Sequence, residues 1–322
     1  MIRRFFVAIS KGSTNSIHLN LTPMNNTKLL IPLAGIAVLT AFTSCDKPSS
    51  EANTAESTAV LRFSAIPDED TTAQAERFQP LADYLSKALE VKVEFVASPN
   101  YGASVQKFRG GDIQLAWFGG VTGVQARQAV EGATAIVAGE ADLSFKSYFI
   151  AHNSTGLQKS AEFPKQIGEL KFTYGSQNST SGCIMPTHFL MQASQQSPQD
   201  FFKQEFGFSG SHDKTLELVA NGTFQAGALN FKTYEKAVAA GKVDPASCVV
   251  IWETPTYADY NMTAHPILDQ QFGEGFIQKL QSALVNCDDP AALESLKRAK
   301  LVAVENATFA GIASVMEKVN FK

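Results

Sequence analysis

Cysteine is scarce in this chain, four in 322 residues, and no two of them stand in a CxxC or Cys/His spacing, so the sequence offers no framework for a metal site. It also lacks a GxSxG elbow, a P-loop and any cluster of His, Asp and Glu at metal-ligand spacing, which removes the common frameworks for nucleophilic hydrolysis and nucleotide binding. Charge is sparse as well. Only 18% of residues are Asp, Glu, Lys or Arg, the net charge is -4 and the pI is near 5.8, and no basic stripe interrupts the chain, which excludes a nucleic-acid surface. The apolar run over 29–42 is too short to span a bilayer comfortably.

That short run has another reading. Lys28 precedes it and Thr43-Ser44-Cys45-Asp46-Lys47-Pro48 follows it, the layout of an export signal. Its end resembles the lipobox of bacterial lipoproteins, in which a small residue precedes a cysteine that is acylated after cleavage, and the resemblance makes Cys45 the lipidated residue. Phe42 departs from the usual Leu, and ordinary secretory cleavage near the same place is the alternative. Residues 1–44 are therefore read as a signal peptide, with Met24 as an alternative start because 24–28 makes a normal n-region. The Ser-, Thr-, Ala- and Glu-rich residues 45–59 show no apolar period and suit a lipid-anchored tether. Cys183, Cys248 and Cys287 remain in the exported part, where an oxidising compartment permits one bridge among them or none.

With 44% apolar residues the chain can bury a sizeable core. Strand patterns over 60–66, 91–96, 113–118, 135–138 and 147–151 alternate with helical spacing over 77–89, 101–108 and 121–130, which predicts an α/β fold with a largely parallel sheet. The alternation restarts with a strand at 170–174, helices at 184–194 and 214–220, and strands near 226–229 and 249–252. Three helical segments follow, over 272–283, 290–300 and 309–319, with no strand between the last two. Helices alone cannot form another sheet. The expected organisation is two α/β lobes joined by a two-crossing hinge, the first from 60–152 plus 253–322 and the second from 153–252.

The stretch that carries chemistry is Gly175-Ser176-Gln177-Asn178-Ser179-Thr180-Ser181-Gly182, between a strand and a helix. A helix start leaves backbone N–H groups unpaired and slightly positive, so Ser179, Thr180 and Ser181 can surround an anion with donors. Ser and Thr are also ordinary N-caps, which is the plainer reading. Tyr101 and Gly119-Gly120 fall at the same kind of place, the carboxyl end of a strand, where ligands of open α/β sheets converge.

Taken together, residues 61–70, Pro80-Leu81-Ala82-Asp83-Tyr84-Leu85, Tyr101, 111–119, Ser179-Thr180-Ser181-Gly182 and Ser211-His212-Asp213 resemble phosphonate/phosphite-type solute-binding proteins of ABC transporters, over nearly all of the exported chain. The subgroup labelled as selenate-uptake binding proteins is resembled further at Trp252-Glu253-Thr254-Pro255 and 269–280. The resemblance implies a type II periplasmic binding fold, a lipid-anchored or periplasmic monomer, an ABC permease as partner, no cofactor, and a tetrahedral oxyanion held by Ser179, Thr180, Ser181, Tyr101 and His212, with Gly119 and Gly120 beside it. Lys146, Lys232 and Tyr257 are further candidates. By that likeness Lys232 stands at one of the positions where aminoalkylphosphonate-binding members carry a carboxylate for the ligand's amine and the other falls at or beside Asp259-Tyr260, Gln225 replaces another acidic position, and Phe145 lines the site; a lysine there repels an ammonium.

The expected function is capture of a small oxyanion of the phosphonate, phosphite or phosphate class for a permease. Two alternatives stand beside it: a receptor for a sulfate- or selenate-like ion, and a phosphate- or sulfate-ester hydrolase using Ser179 or Thr180 with His212 as base. An acceptor in the pocket would retain a ligand bearing a P–OH and reject one without it. Asp68, Glu69, Asp70, Asp213, Glu253 and Asp259 are the carboxylates that could supply it, and the sequence does not rank them.

Overall fold

The computed structural model describes residues 59–69 and 73–321; the signal, the tether with Cys45, and Asp70 lie outside the described residues. The chain runs β1 (Val60–Ala65), α1 (Gln74–Leu89), β2 (Lys92–Phe95), α2 (Tyr101–Arg109), β3 (Leu115–Phe118), α3 (Gly120–Ala129), β4 (Thr134–Gly139) and β5 (Ser147–His152). It continues through β6 (Phe172–Tyr174), α4 (Met185–Ser194), α5 (Pro198–Phe201), β7 (Gly207–Phe208), α6 (His212–Ala220), β8 (Ala226–Asn230), α7 (Phe231–Ala239) and β9 (Cys248–Glu253). The last part is β10 (Asn261–Ala264), α8 (Ile267–Phe272), α9 (Phe276–Val285), α10 (Pro290–Ser295), β11 (Leu301–Ala303) and α11 (Ala310–Lys318).

Among the described residues two sheets result, both within one compact unit. The first has the order β11-β4-β10-β3-β1-β2 and the second β7-β6-β8-β5-β9. The α/β class follows from the pattern, but neither sheet is largely parallel. β1 pairs parallel with β2 and β3, whereas β10 inserts antiparallel between β3 and β4, and β5 lies antiparallel to both β8 and β9. Strand alternation shows where strands are but not that a returning chain re-enters a sheet in the opposite sense.

The boundaries move for the same reason. β5 was expected in the first lobe, yet its pairing with β8 and β9 puts it in the second sheet, so the chain crosses just before Ser147 rather than after 152. β11 occupies the gap between α10 and α11 where no strand was expected; three residues are too few to display a period. Cys183, Cys248 and Cys287 are free thiols.

The two crossings run side by side. Phe145 and Tyr257 exchange backbone hydrogen bonds, 2.9 Å each way. A buried ion pair braces this neck from behind: Arg298 Nε donates to Asp142 Oδ2 at 2.6 Å and a second guanidinium N–H to Oδ1 at 2.7 Å. Asp142 also accepts the Asp259 N–H at its backbone carbonyl, 2.9 Å, which ties the pair to the returning crossing. Such a fork-to-fork pair fixes orientation as well as charge.

Gly139 is required by this brace. A Cβ there would strike Asp142 Oδ2 and come within 2.6 Å of Arg298 Cδ. Gly139→Ala is expected to lower the unfolding free energy by ~2 kcal/mol, as for other overpacked cores. Gly311→Ala, whose Cβ would meet nothing within 4 Å, should leave it unchanged or raise it; urea denaturation of the two variants measures the contrast.

Candidate functional site

The hydroxyl turn is built by its own backbone. Beyond β6, the Gly175 N–H donates to the Gly182 carbonyl at 2.8 Å, closing 175–182 into a loop. Ser179 is a true N-cap, its Oγ accepting the Gly182 N–H at 3.0 Å. Its carbonyl accepts from both Cys183 (3.2 Å) and Ile184 (3.0 Å), so the first turn, Thr180–Ile184, is a wide π-helical one before α4 begins. Ser179, Thr180 and Ser181 are 1%, 2% and 1% exposed, so three successive hydroxyls are withdrawn from bulk water. Burial separates this turn from an ordinary solvated helix cap.

The capping and binding readings are compatible because a hydroxyl accepts twice and donates once. Thr180 Oγ1 accepts the Val121 N–H from the start of α3 at 3.0 Å, which stitches the second lobe to the first and leaves its proton to be donated, with the Asp259 carboxyl close by. Ser181 accepts at its backbone carbonyl from Ser147 Oγ at 2.7 Å, and Ser147 Oγ lies 2.6 Å from the Tyr257 hydroxyl.

His212 opens α6 and is 1% exposed. The Asn230 N–H donates to its Nδ1 at 3.3 Å, so Nε2 carries the ring proton; Nε2 stands 3.5 Å from Ser179 Oγ. Burial holds the imidazole below its ordinary value against the pull of Asp68, Glu69 and Asp213. The ring is therefore a neutral donor at neutral pH. Tyr101, the first residue of α2, is 2% exposed, and burial together with the Asp68 charge keeps its phenol protonated. Its hydroxyl has no hydrogen-bond partner among the described residues.

The carboxylates, which the sequence left unranked, separate clearly here. Glu69 pairs with Lys297, Glu253 with Lys146 and Lys159, and Asp213 accepts from Ser211. Although burial alone would raise Asp68, the Arg77 and Lys297 charges and the Tyr260 hydroxyl hold it below the usual carboxylate range. Asp68 Oδ2 accepts from Tyr260 at 3.0 Å. Asp259 differs from all of them. It is 1% exposed, its Oδ1 accepts the Gly120 N–H at 2.8 Å, and its Oδ2 has no partner among the described residues. Burial pushes its carboxyl up to about 7, against the Gly120 hydrogen bond and the nearby Thr180 and Ser181 hydroxyls and with the Asp142 charge adding to the rise.

The sequence-predicted residues thus divide into groups. Ser179, Thr180, Ser181 and His212 come together with Gly119 and Gly120, where a Cβ on Gly119 would stand 3.1 Å from Thr180 Oγ1 and 3.3 Å from Asp259 Oδ1. Tyr101 joins them, close enough for the Ser179 hydroxyl and the Asp68 and Asp259 charges to act on its phenol. Tyr257 touches the cluster through Ser147, and Gly120 spends its N–H on Asp259. Lys146 is drawn away, ion-paired to Glu253 with its ammonium over the Tyr148 and Phe231 rings. Lys232 lines a neighbouring cavity. Sequence reasoning missed Asn230 and Ser147 altogether, and met Tyr260 only as a neighbour of a family carboxylate position; only Asn230, an N-cap whose Oδ1 accepts from Thr233 at 2.7 Å, carried a local signal.

A site of neutral donors with one idle carboxylate oxygen, between two hinged α/β lobes, has close relatives. A family model described as ABC transporter, phosphonate, periplasmic substrate-binding protein matches residues 63–309. This chain belongs to that family. The "Probable ABC transporter phosphite binding protein PhnD1" of Prochlorococcus marinus (strain MIT 9301) is 36% identical over 268 residues, 81% of this chain and 90% of that protein. The structure of PhnD1 from that organism in complex with methylphosphonate matches with a TM-score of 0.77 at 36% identity, covering 82% of this chain and 99% of that one. The "Phosphate-import protein PhnD" of Mycolicibacterium smegmatis (strain ATCC 700084 / mc(2)155) is 28% identical over 273 residues, 79% of this chain and 80% of that protein. As a member of this family the chain is the periplasmic substrate-binding component of an ABC transporter with the periplasmic binding protein fold, and not an enzyme; the hydrolase reading is set aside.

The raised Asp259 value predicts a pH signature in the ligand-free protein. A carboxyl whose folded value is about 7 against an ordinary 3.8 contributes stability that is full below 3.8 and is lost as the pH rises through 7. Asp259→Asn keeps an acceptor for Gly120 and does not ionise. Thermal unfolding from pH 4 to 8 is expected to show the wild type losing stability relative to this variant as pH rises; a constant difference would contradict the assignment.

Proposed function

We propose that this protein captures a small, singly protonated tetrahedral phosphorus oxyanion, hydrogen phosphite or methylphosphonate foremost and hydrogen phosphate of the same kind, and presents it to an ABC permease. Ser179, Thr180, Ser181, Tyr101 and the Nε2–H of His212 are its donors, and Asp259 is its acceptor. The observation that carries this reading is the Oδ2 of Asp259, which has no partner among the described residues and is buried beside hydroxyls whose protons can be donated. Each side supplies what the other lacks: the anion's bare oxygens accept from five neutral donors, and its one P–OH donates to the carboxylate.

The same atom argues against a sulfate- or selenate-like guest. Such an ion brings no proton of its own, so its bare oxygens face a carboxylate once Asp259 ionises, as the pH rises through about 7. An unsatisfied buried acceptor costs about 1–3 kcal/mol, and more when charged, so discrimination of at least about tenfold is expected. The phosphite-binding relative and the methylphosphonate complex of PhnD1 support the phosphorus class.

One proton must be shared between Asp259 and the ligand. With Asp259 near 7, affinity should fall once the pH exceeds both its value and the ligand's own, by up to about tenfold per unit. Calorimetry against phosphite, methylphosphonate, phosphate, sulfate and selenate is expected to rank the phosphorus anions first at pH 7, and Asp259→Asn should flatten both the pH dependence and the preference. Sulfate or selenate binding as tightly as phosphite would overturn the reading.

The monomer is proposed to be tethered to the envelope through lipid on Cys45, on the strength of the lipobox-like Thr43-Ser44-Cys45 after a short apolar run. Cys45→Ser is expected to move the protein from the membrane to the soluble fraction on cell fractionation; identical partitioning of wild type and variant would remove the anchor.

A further inference from the structure

Arg127 is a cation with no counterion among the described residues. It stands in the last turn of α3, where a basic side chain suits the negative end of the helix, and its guanidinium lies 5.0 Å over the Phe309 ring. No charged neighbour acts on it, and burial alone lowers it to about 10, so it stays protonated at neutral pH. Its Nη1 is turned inward onto β10 and donates to Asn261 Oδ1 at 3.0 Å and to Thr263 Oγ1 at 2.9 Å. Its Nη2 is buried with no partner among the described residues. A charge enclosed among neutral groups opposes stability, which points to a role for the contacts it makes.

Those contacts fix the direction of an amide. A guanidinium can only donate, so the Asn261 oxygen has to face Arg127, and the Thr263 hydroxyl donates to the same oxygen at 2.8 Å. Asn261 Nδ2 is thereby turned the other way, where it donates to the Asp259 carbonyl at 3.2 Å. Were the amide reversed, two oxygens would face each other there. Gly123 makes the meeting possible: a Cβ on it would stand 2.7 Å from Asn261 Oδ1 and 2.9 Å from Arg127 Nη1. A side chain on this flank of α3 would drive the guanidinium and the amide apart.

Asp259 is therefore gripped twice by one helix. The start of α3 holds its side chain, through the Gly120 N–H on Oδ1 at 2.8 Å, and the end of α3 holds its main chain, through Arg127 and Asn261. The Asp259 N–H is given to the Asp142 carbonyl, so main chain and side chain are both pinned and Oδ2 has one direction to point. Resting on the reading under Proposed function, we infer that Arg127 is a positioning residue: acting through Asn261, it aims the second oxygen of Asp259 and so sets how strongly the site prefers a ligand that carries a proton. The donors are outside this chain of contacts, since none of Ser179, Ser181, Tyr101 and His212 hydrogen-bonds to Arg127, Asn261 or Thr263. Loss of Arg127 should therefore blunt selectivity more than it weakens anion binding as such.

The test is calorimetry with phosphite and with sulfate at pH 7 on wild type, Arg127→Met, Asp259→Asn and the double variant. Arg127→Met is expected to lower the ratio of phosphite to sulfate affinity by about threefold or more, most of the change falling on phosphite. In the Asp259→Asn background the same substitution should leave that ratio nearly unchanged, because its route ends on the carboxylate and the two effects do not add. If Arg127→Met fails to melt cooperatively, Asn261→Ala, which leaves the guanidinium to Thr263 and removes the link to the Asp259 carbonyl, is held to the same expectations. A lower melting temperature with the wild-type ratio, or an equal loss of ratio with and without the Asp259 carboxylate, overturns the inference and makes Arg127 a purely structural residue. If Asp259→Asn itself keeps the wild-type ratio, the reading beneath is overturned and the inference falls with it.

Discussion

One half-satisfied carboxylate organises this molecule. Asp259 is fully enclosed, one oxygen is anchored by the Gly120 N–H, and the other has no partner among the described residues. Folding tolerates such an atom only where surrounding structure over-determines its position, since an unmet buried acceptor opposes stability. That structure is visible. The backbone of Asp259 hangs from Asp142, Asp142 is forked to Arg298, and the adjoining crossing is zipped to its partner through Phe145 and Tyr257. The neck between the lobes and the acceptor of the site are therefore one construction, and moving the lobes moves the carboxylate relative to the hydroxyl turn.

The donors are arranged with a different economy. None of the groups opposite Asp259 is a full cation. His212 is kept neutral by burial, with its tautomer set by the Asn230 N–H, and the serine and threonine hydroxyls use their acceptor capacity on Gly182 and Val121, which leaves their protons to give. On the proposed reading, such a set of neutral donors and one acceptor would read the protonation state of its guest, which a cluster of arginines could not do, since it would favour the most highly charged ion present. The charged residues lie outside, beyond Tyr260, where Arg77, Lys236, Lys297 and Arg298 are ion-paired.

Much of this was legible from the chain. The Ser179-Thr180-Ser181 turn, Tyr101 and the glycine pair announced themselves because a strand's carboxyl end followed by a helix start is written locally. Asp259 was not singled out from five other carboxylates because partnership is a property of distant residues: what distinguishes it from Asp68 is that Arg77 and Tyr260 reach one and not the other. Nor did the sequence disclose that the hydroxyl turn is a wide π-helical one, or that Ser147 and Tyr257 would back it, since those contacts join residues 34 and 110 positions apart. The same limit explains the sheets. Strands β10 and β11 are four and three residues long, and the place of β5 is decided by partners some 80 to 100 positions later in the chain, which no periodicity reveals.

The most direct measurement is a crystal structure of the exported protein grown with phosphite below pH 7. The account predicts phosphorus among Ser179, Thr180, Ser181, Tyr101 and His212, with one ligand oxygen about 2.5–2.8 Å from Asp259 Oδ2, the separation of a proton-sharing O–H···O pair. Phosphorus bound elsewhere, or a ligand at this turn whose oxygens all avoid Asp259 while a protein group closes on its Oδ2, would contradict it.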